Sequence, residues 1–181
     1  MHHDDPLQRL VDGIAAHAGM WASAYKAQRA DWRHPSFAVL LLTHGRSFAP
    51  GPRPAHVEPG PPGMCFATAL AHAEQHGLIY VEGMALTPHE PLGFDHAWCI
   101  AEADGRVVDP TLPDGYVLAY VGVPLTPEYR RAQQAMRGCD AILTSGRTTW
   151  TDNATALREG LPVDAMPVAG RPIPAPRLLG A

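Results

Sequence analysis

Cys65, His96 and Asp109 are the residues of this chain whose types and order suit acyl-transfer chemistry. Cys65 follows "PGPPG", where prolines and a glycine force the chain to turn, and it opens the Ala-rich stretch "MCFATALAHAEQHG" (64–77), which reads as a helix closed by Gly77. A helix start offers unpaired N–H groups and a partial positive charge, and both favour a thiolate. His96 and Asp109 lie at the far ends of two short apolar runs, 95–101 and 106–109, joined by a turn containing Asp104-Gly105. Side chains alternate along a strand, so His96, Trp98 and Ile100 share one face and Cys99 takes the other. One register pairs Ile100 with Gly105, Trp98 with Val107 and His96 with Asp109. A carboxylate placed there fixes the imidazole tautomer and stabilises the imidazolium. Thiolate, imidazole and carboxylate together can form and resolve an acyl-enzyme.

Each residue also has a plainer reading. A free cysteine packs as a small hydrophobe, and Asp-Pro at 109–110 is turn chemistry. Trp98 reads as core or groove wall, with substrate stacking as its functional role. Cys99 reads as packing, and Cys139 lies outside any motif. Glu82 interrupts an apolar strand and requires a buried partner such as an arginine. His72 and His76 are four apart on one helix face, as zinc ligands often are, but Ala73 replaces the glutamate of H-E-x-x-H and no third ligand is evident, so no metal is expected. "GRVVDP" lacks a phosphate-binding glycine pattern, so no cofactor is expected.

The motifs "GMCFATAL", "DHAWCI" and "GRVVDPT", in the order Cys, His, Asp, resemble the transglutaminase-like superfamily of cysteine enzymes. These are relatives of the papain-like clan and include arylamine N-acetyltransferase-type enzymes. The resemblance covers residues 63–124. It implies an α+β fold with helices on a mainly antiparallel sheet, the nucleophile's helix packing against the sheet that carries the other two residues. It implies Cys65 as nucleophile, His96 as base and then acid, and Asp109 as the orienting acid. An asparagine in third place would be the papain pattern. The chain is shorter than typical members, and no side chain upstream of Cys65 stands out as an oxyanion donor. Gln28 is distant in sequence, which leaves the Cys65 amide.

The elements around these residues follow from periodicity. Residues 6–31 read as a helix, with Leu7, Leu10, Val11, Ile14, Ala18 and Trp21 on one face. "FAVLLL" (37–42) reads as a short buried strand or the end of a helical hairpin. Residues 45–63 read as a Pro-rich loop. Strands are expected at 78–86 and 115–125, and a Pro-containing loop at 87–94. Helices are expected at 126–138, with Thr126 as N-cap, and at 151–162. The last twenty residues read as a loosely packed Pro-rich tail. The expectation is one α+β domain over 1–181.

Composition narrows the function classes. Apolar residues make up 46% and charged residues 18% of 181, which suits a globular core. A net charge of -4 with scattered basic residues gives no nucleic-acid footprint. Three cysteines are an odd, low count that argues for a reducing compartment. Acids near the N-terminus replace the bases of a signal peptide, and no apolar run reaches membrane-spanning length, so the expectation is a cytoplasmic protein with no membrane partner. The reading is a cofactor-free cysteine hydrolase or acyltransferase acting on a peptide, protein or small acyl or amide substrate. The alternative is a non-catalytic binding module on the same scaffold. Oligomeric state is not legible.

Overall fold

A computed structural model describes residues 5–145 and 152–177. The elements in chain order are α1 (Pro6–Tyr25), α2 (Phe37–His44), β1 (Arg46–Phe48), α3 (Cys65–His76), β2 (Ile79–Thr87), β3 (Glu90–Ile100), β4 (Val107–Val108), β5 (Ala119–Leu125), α4 (Pro127–Arg137), α5 (Ala154–Glu159) and β6 (Arg171–Pro172). The six strands form one antiparallel sheet in the order β4-β3-β2-β5-β1-β6. This is the mixed α+β class read from the sequence.

The sheet curls and buries both faces. Its outer face carries Tyr80, Met84, Leu86, Ala97, Cys99, Val121 and Val123, packed with Leu10, Val11 and Ile14 of α1, Leu40 and Leu41 of α2, and Ala69 and Leu70 of α3. Its inner face carries Val81, Ala85, Trp98, Ile100, Val107 and Tyr120, with Phe48. Residues of the β3–β4 turn and of the opposite edge, Asp104 to Arg106 and Ser47, Phe48 and Arg171, line one cleft where the curl brings the edges close. A Cβ on Gly122 would stand 2.6 Å from Cη2 of Trp98, so a glycine in β5 lets the indole lie across that strand.

Several elements differ from the sequence expectation. The run 37–42 is helical, not a strand, because the Ser36 side chain accepts from the Val39 N–H and caps it. The first helix ends at Tyr25, and 26–31 are turns and bends. Arg46–Phe48, assigned to the loop, pair with both β5 and β6. The segment 87–94 is largely strand: the hairpin turns at Pro88-His89, and a register shift between Ala85 and Thr87 marks the irregularity near Pro91. Thr126 sits at the N-cap of α4, but its hydroxyl donates to the Asp164 carbonyl instead of capping. Of the expected Pro-rich tail, the described residues 162–177 are mostly exposed, but Ala165 is fully buried and Arg171–Pro172 form an edge strand, where a proline's missing N–H is tolerated. The expected helix at 151–162 is observed as Ala154–Glu159, and residue 151 lies outside the described residues.

Candidate active site

The β3–β4 hairpin pairs Cys99 with Val108 and Ile100 with Val107. This register is shifted by two residues from the one read off the sequence, in which Trp98 faced Val107. A two-residue shift preserves the face, so Asp109 still lies on the His96 side and reaches the imidazole as a diagonal neighbour. His96 Nε2 and Asp109 Oδ2 are 2.7 Å apart, with both side chains buried.

Asp109 is saturated with donors. Its Oδ1 accepts from the Thr111 N–H at 2.9 Å, the Thr111 hydroxyl at 3.1 Å and the Leu112 N–H at 3.0 Å. Its Oδ2 accepts from the Tyr120 hydroxyl at 2.8 Å as well as meeting His96. The turn role and the imidazole contact therefore coexist in one residue, one oxygen serving each. Burial pushes the Asp109 carboxyl upward, but the His96 contact and the Thr111 and Leu112 amides hold it below the ordinary aspartate value. Burial by itself would lower the His96 pKa. The interactions of the ring with the accepting Asp109 carboxylate and with Cys65 outweigh that and raise it to about 9.

Cys65 is the first residue of α3 and is half-buried. Its side chain lies near enough to His96 to contribute to the upward shift of the imidazole. With Nε2 facing the carboxylate, Nδ1 is the ring atom left for sulfur. Gly63, with φ 73°, supplies the left-handed turn into the helix. The Pro-rich loop is tied to the site's other wall: the Gly60 N–H donates to the Pro110 carbonyl at 2.7 Å. The N-cap of α3 is Met64, which provides no side-chain cap, so the first-turn amides are not capped by a side chain.

Two anchors hold α3 at this position. The Cys99 thiol donates to the Ala69 carbonyl at 3.1 Å. Glu74 pairs with Arg130 and, at 2.9 Å and 3.0 Å, with Arg131 of α4. Burial raises the Cys99 pKa, which keeps this thiol protonated. Cys139 is also buried and donates to the Ala141 carbonyl.

Trp98 is fully buried, its indole stacked beside His96 with ring centroids 6.1 Å apart and tilted on Tyr120 at 4.8 Å. The structure thus places it under the imidazole as packing. Among the described residues Glu82 is paired with no arginine. It accepts from the Tyr80 hydroxyl and from the Ile142, Leu143 and Thr144 N–H groups. His72 and His76 stack at 5.3 Å and His76 meets His56 at 5.9 Å, yet among the described residues no group of three or more His, Cys, Asp or Glu could hold a metal ion.

Tyr120 is the site residue that the sequence reading missed. The reading placed it on a strand but gave no clue that β5 lies two strands from β3, with β2 between. The intervening inner-face residues of β2 are Gly83 and Ala85, which are small enough for rings from both sides to meet above them. A tyrosine in a strand whose neighbour carries small residues at alternate positions was the available signal.

No helix among the described residues is long and apolar enough to cross a membrane. Comparison of this chain with protein-family models, curated proteins and solved structures gives no match.

Proposed function

We propose that the protein is a cysteine-dependent hydrolase or acyltransferase with a transglutaminase-like core, acting on an amide, thioester or related acyl group. The observation that carries this reading is the 2.7 Å contact between His96 and Asp109, with Cys65 near the same imidazole at a helix start. In this mechanism the thiolate attacks the acyl carbon, and the oxyanion develops near the Cys65 amide. The His96 imidazolium protonates the leaving amine or thiol, giving a thioester on Cys65. Neutral His96 then takes a proton from water or an incoming amine, which attacks the thioester and releases Cys65. Asp109 holds the ring so that one nitrogen faces sulfur throughout, and its negative charge stabilises the imidazolium. Trp98 supports the ring from within the sheet.

Trapping the thioester tests the proposal. An activated acyl ester is expected to leave a hydroxylamine-sensitive adduct on Cys65. Cys65→Ala is expected to form none while retaining its thermal midpoint, because a half-buried helix-start residue is not a packing anchor. No adduct on the wild-type protein, or an adduct confined to Cys139, would leave the binding-module reading in its place.

A further inference from the structure

We propose that Tyr120 is a fourth member of the site, a positioning residue that sets how strongly Asp109 holds the His96 proton. The inference rests on the triad reading above and concerns the strength of the His96–Asp109 contact, which the three residues alone do not fix.

Geometry separates two roles that Tyr120 could have. Orientation of the carboxylate is already secured on Oδ1, by two backbone N–H groups and the Thr111 hydroxyl. The Tyr120 hydroxyl adds nothing on that oxygen. It donates to Oδ2 at 2.8 Å, the same atom that faces His96 at 2.7 Å. Two donors on one oxygen share its negative charge, so each is bound less tightly than it would be alone. The hydroxyl thus lowers the basicity of the atom in contact with the imidazole, without aiming it. The residue is 3% exposed, so water does not replace the hydroxyl easily. Burial and the Asp109 charge together raise the phenol pKa, so Tyr120 remains a donor across the working pH range.

The consequence concerns proton transfer. A carboxylate that binds the imidazolium too strongly holds a proton that His96 must deliver to the leaving group. General acid catalysis works best when the acid's pKa lies near the operating pH. Tyr120 moves His96 toward that range. Its ring also packs on Trp98 and against His96, so Tyr120→Phe removes the hydroxyl and keeps the packing.

The experiment is a titration of the His96 imidazole by 15N NMR, assigned by its loss in His96→Ala, beside the pH dependence of Cys65 alkylation by iodoacetamide. In Tyr120→Phe, the His96 pKa and the upper limb of the alkylation profile are expected to move upward together, by about one pH unit, the scale on which losing one hydrogen bond to a charged acceptor acts. Incorporation of 3,5-difluorotyrosine at position 120 makes the hydroxyl a stronger donor and is expected to move both downward. This second variant keeps the test alive if the phenylalanine variant fails to fold. Titrations that superimpose on wild type would overturn the role of Tyr120, and so would a lowered thermal midpoint with an unmoved His96 pKa. Wild-type alkylation of Cys65 that is indifferent to His96→Ala would overturn the triad itself, and with it the Tyr120 proposal.

Discussion

Asp109 and Glu82 are two buried carboxylates on opposite faces of one curled sheet, each linked to a tyrosine. Tyr120 donates to Asp109 at 2.8 Å and Tyr80 donates to Glu82 at 2.9 Å. Each also accepts backbone N–H groups, two for Asp109 and three for Glu82. Their ionisation nevertheless shifts in opposite directions. Burial raises Glu82 despite its donors, whereas Asp109 is held below its ordinary value against burial. The difference is the imidazole. Neutral donors soften the cost of burying a charge, but a cationic partner reverses its sign. Glu82 therefore acts as a clamp that fastens residues 142–144 to β2. Asp109 is coupled to a group that can exchange a proton with a thiol. A buried acid with many hydrogen bonds does not indicate chemistry until one of its partners titrates.

Replacing each acid by its amide should break the comparison if it is wrong. Asp109→Asn leaves a hydrogen-bonding group in place but favours the wrong tautomer and withdraws the charge that stabilises the imidazolium. Turnover, or the rate of Cys65 acylation, is expected to fall by about 10²–10⁴-fold. With the amide oxygen kept toward Thr111 and Leu112, only the Tyr120 hydroxyl loses its acceptor, so the unfolding free energy is expected to fall by about 1 kcal/mol. Rates equal to wild type would reduce Asp109 to a turn residue.

Glu82→Gln should show the reverse pattern. An amide nitrogen facing the N–H groups of 142–144 leaves buried donors unpaired. The expected cost is about 1–3 kcal/mol of unfolding free energy, read by urea denaturation. The rate of Cys65 acylation in the folded variant should stay within about twofold of wild type, since Glu82 touches none of the triad residues; this small figure is on the scale of a few tenths of a kcal/mol. A rate loss matching that of Asp109→Asn would erase the distinction between clamp and site.

A smaller effect should appear in the pH dependence of stability. The folded His96 pKa, about 9, lies above the ordinary histidine value of 6.5. Its contribution is fully present below about 6.5 and is lost as pH rises through about 9. Asp109 is depressed below 3.8, so its contribution is present above that value and lost as pH falls through the folded pKa. The difference in thermal midpoint between wild type and His96→Gln is therefore expected to be greatest between about pH 4 and 6.5 and to shrink by pH 9, in line with those same pKa values. A difference that grows toward alkaline pH would mean that the imidazole is buried neutral and is not paired as described.

The contrast between the two acids also shows what local sequence could and could not convey. The thiol at a helix start was legible because a Pro-Gly turn before an Ala-rich stretch is a local signal. The face shared by His96 and Asp109 was legible because alternation survives a register error of two residues. The register itself was not, since it depends on where the turn is centred: the Ala101 N–H donates to Arg106 O at 2.9 Å, so the four-residue loop is 102–105 and lies one residue later than expected. Non-local contacts were out of reach. Glu82 meets amides about sixty residues away, and Tyr120 arrives from a strand separated by β2. The run 37–42 carried apolar residues at every position, so periodicity could not choose between helix and strand, and the cap at Ser36 decided it. Within the Pro-rich tail the short strand Arg171–Pro172 gave no local signal, because a two-residue edge strand tolerates proline.

The most direct test of the central claim is to ask which thiol reacts and whether His96 controls it. Alkylation by iodoacetamide requires the thiolate. The Cys65 thiol is half-buried beside His96, whereas Cys99 and Cys139 are buried and donate to backbone carbonyls. Brief labelling at about pH 6, where an unperturbed thiol is only ~0.3% ionised, followed by peptide mapping, reads this without a known substrate. The expected result is label on Cys65 first, slowed at least about tenfold in His96→Ala, since loss of a positioned base beside the nucleophile costs at least that factor. Equal labelling of Cys65 and Cys139, or a Cys65 rate unchanged by His96→Ala, would contradict the account.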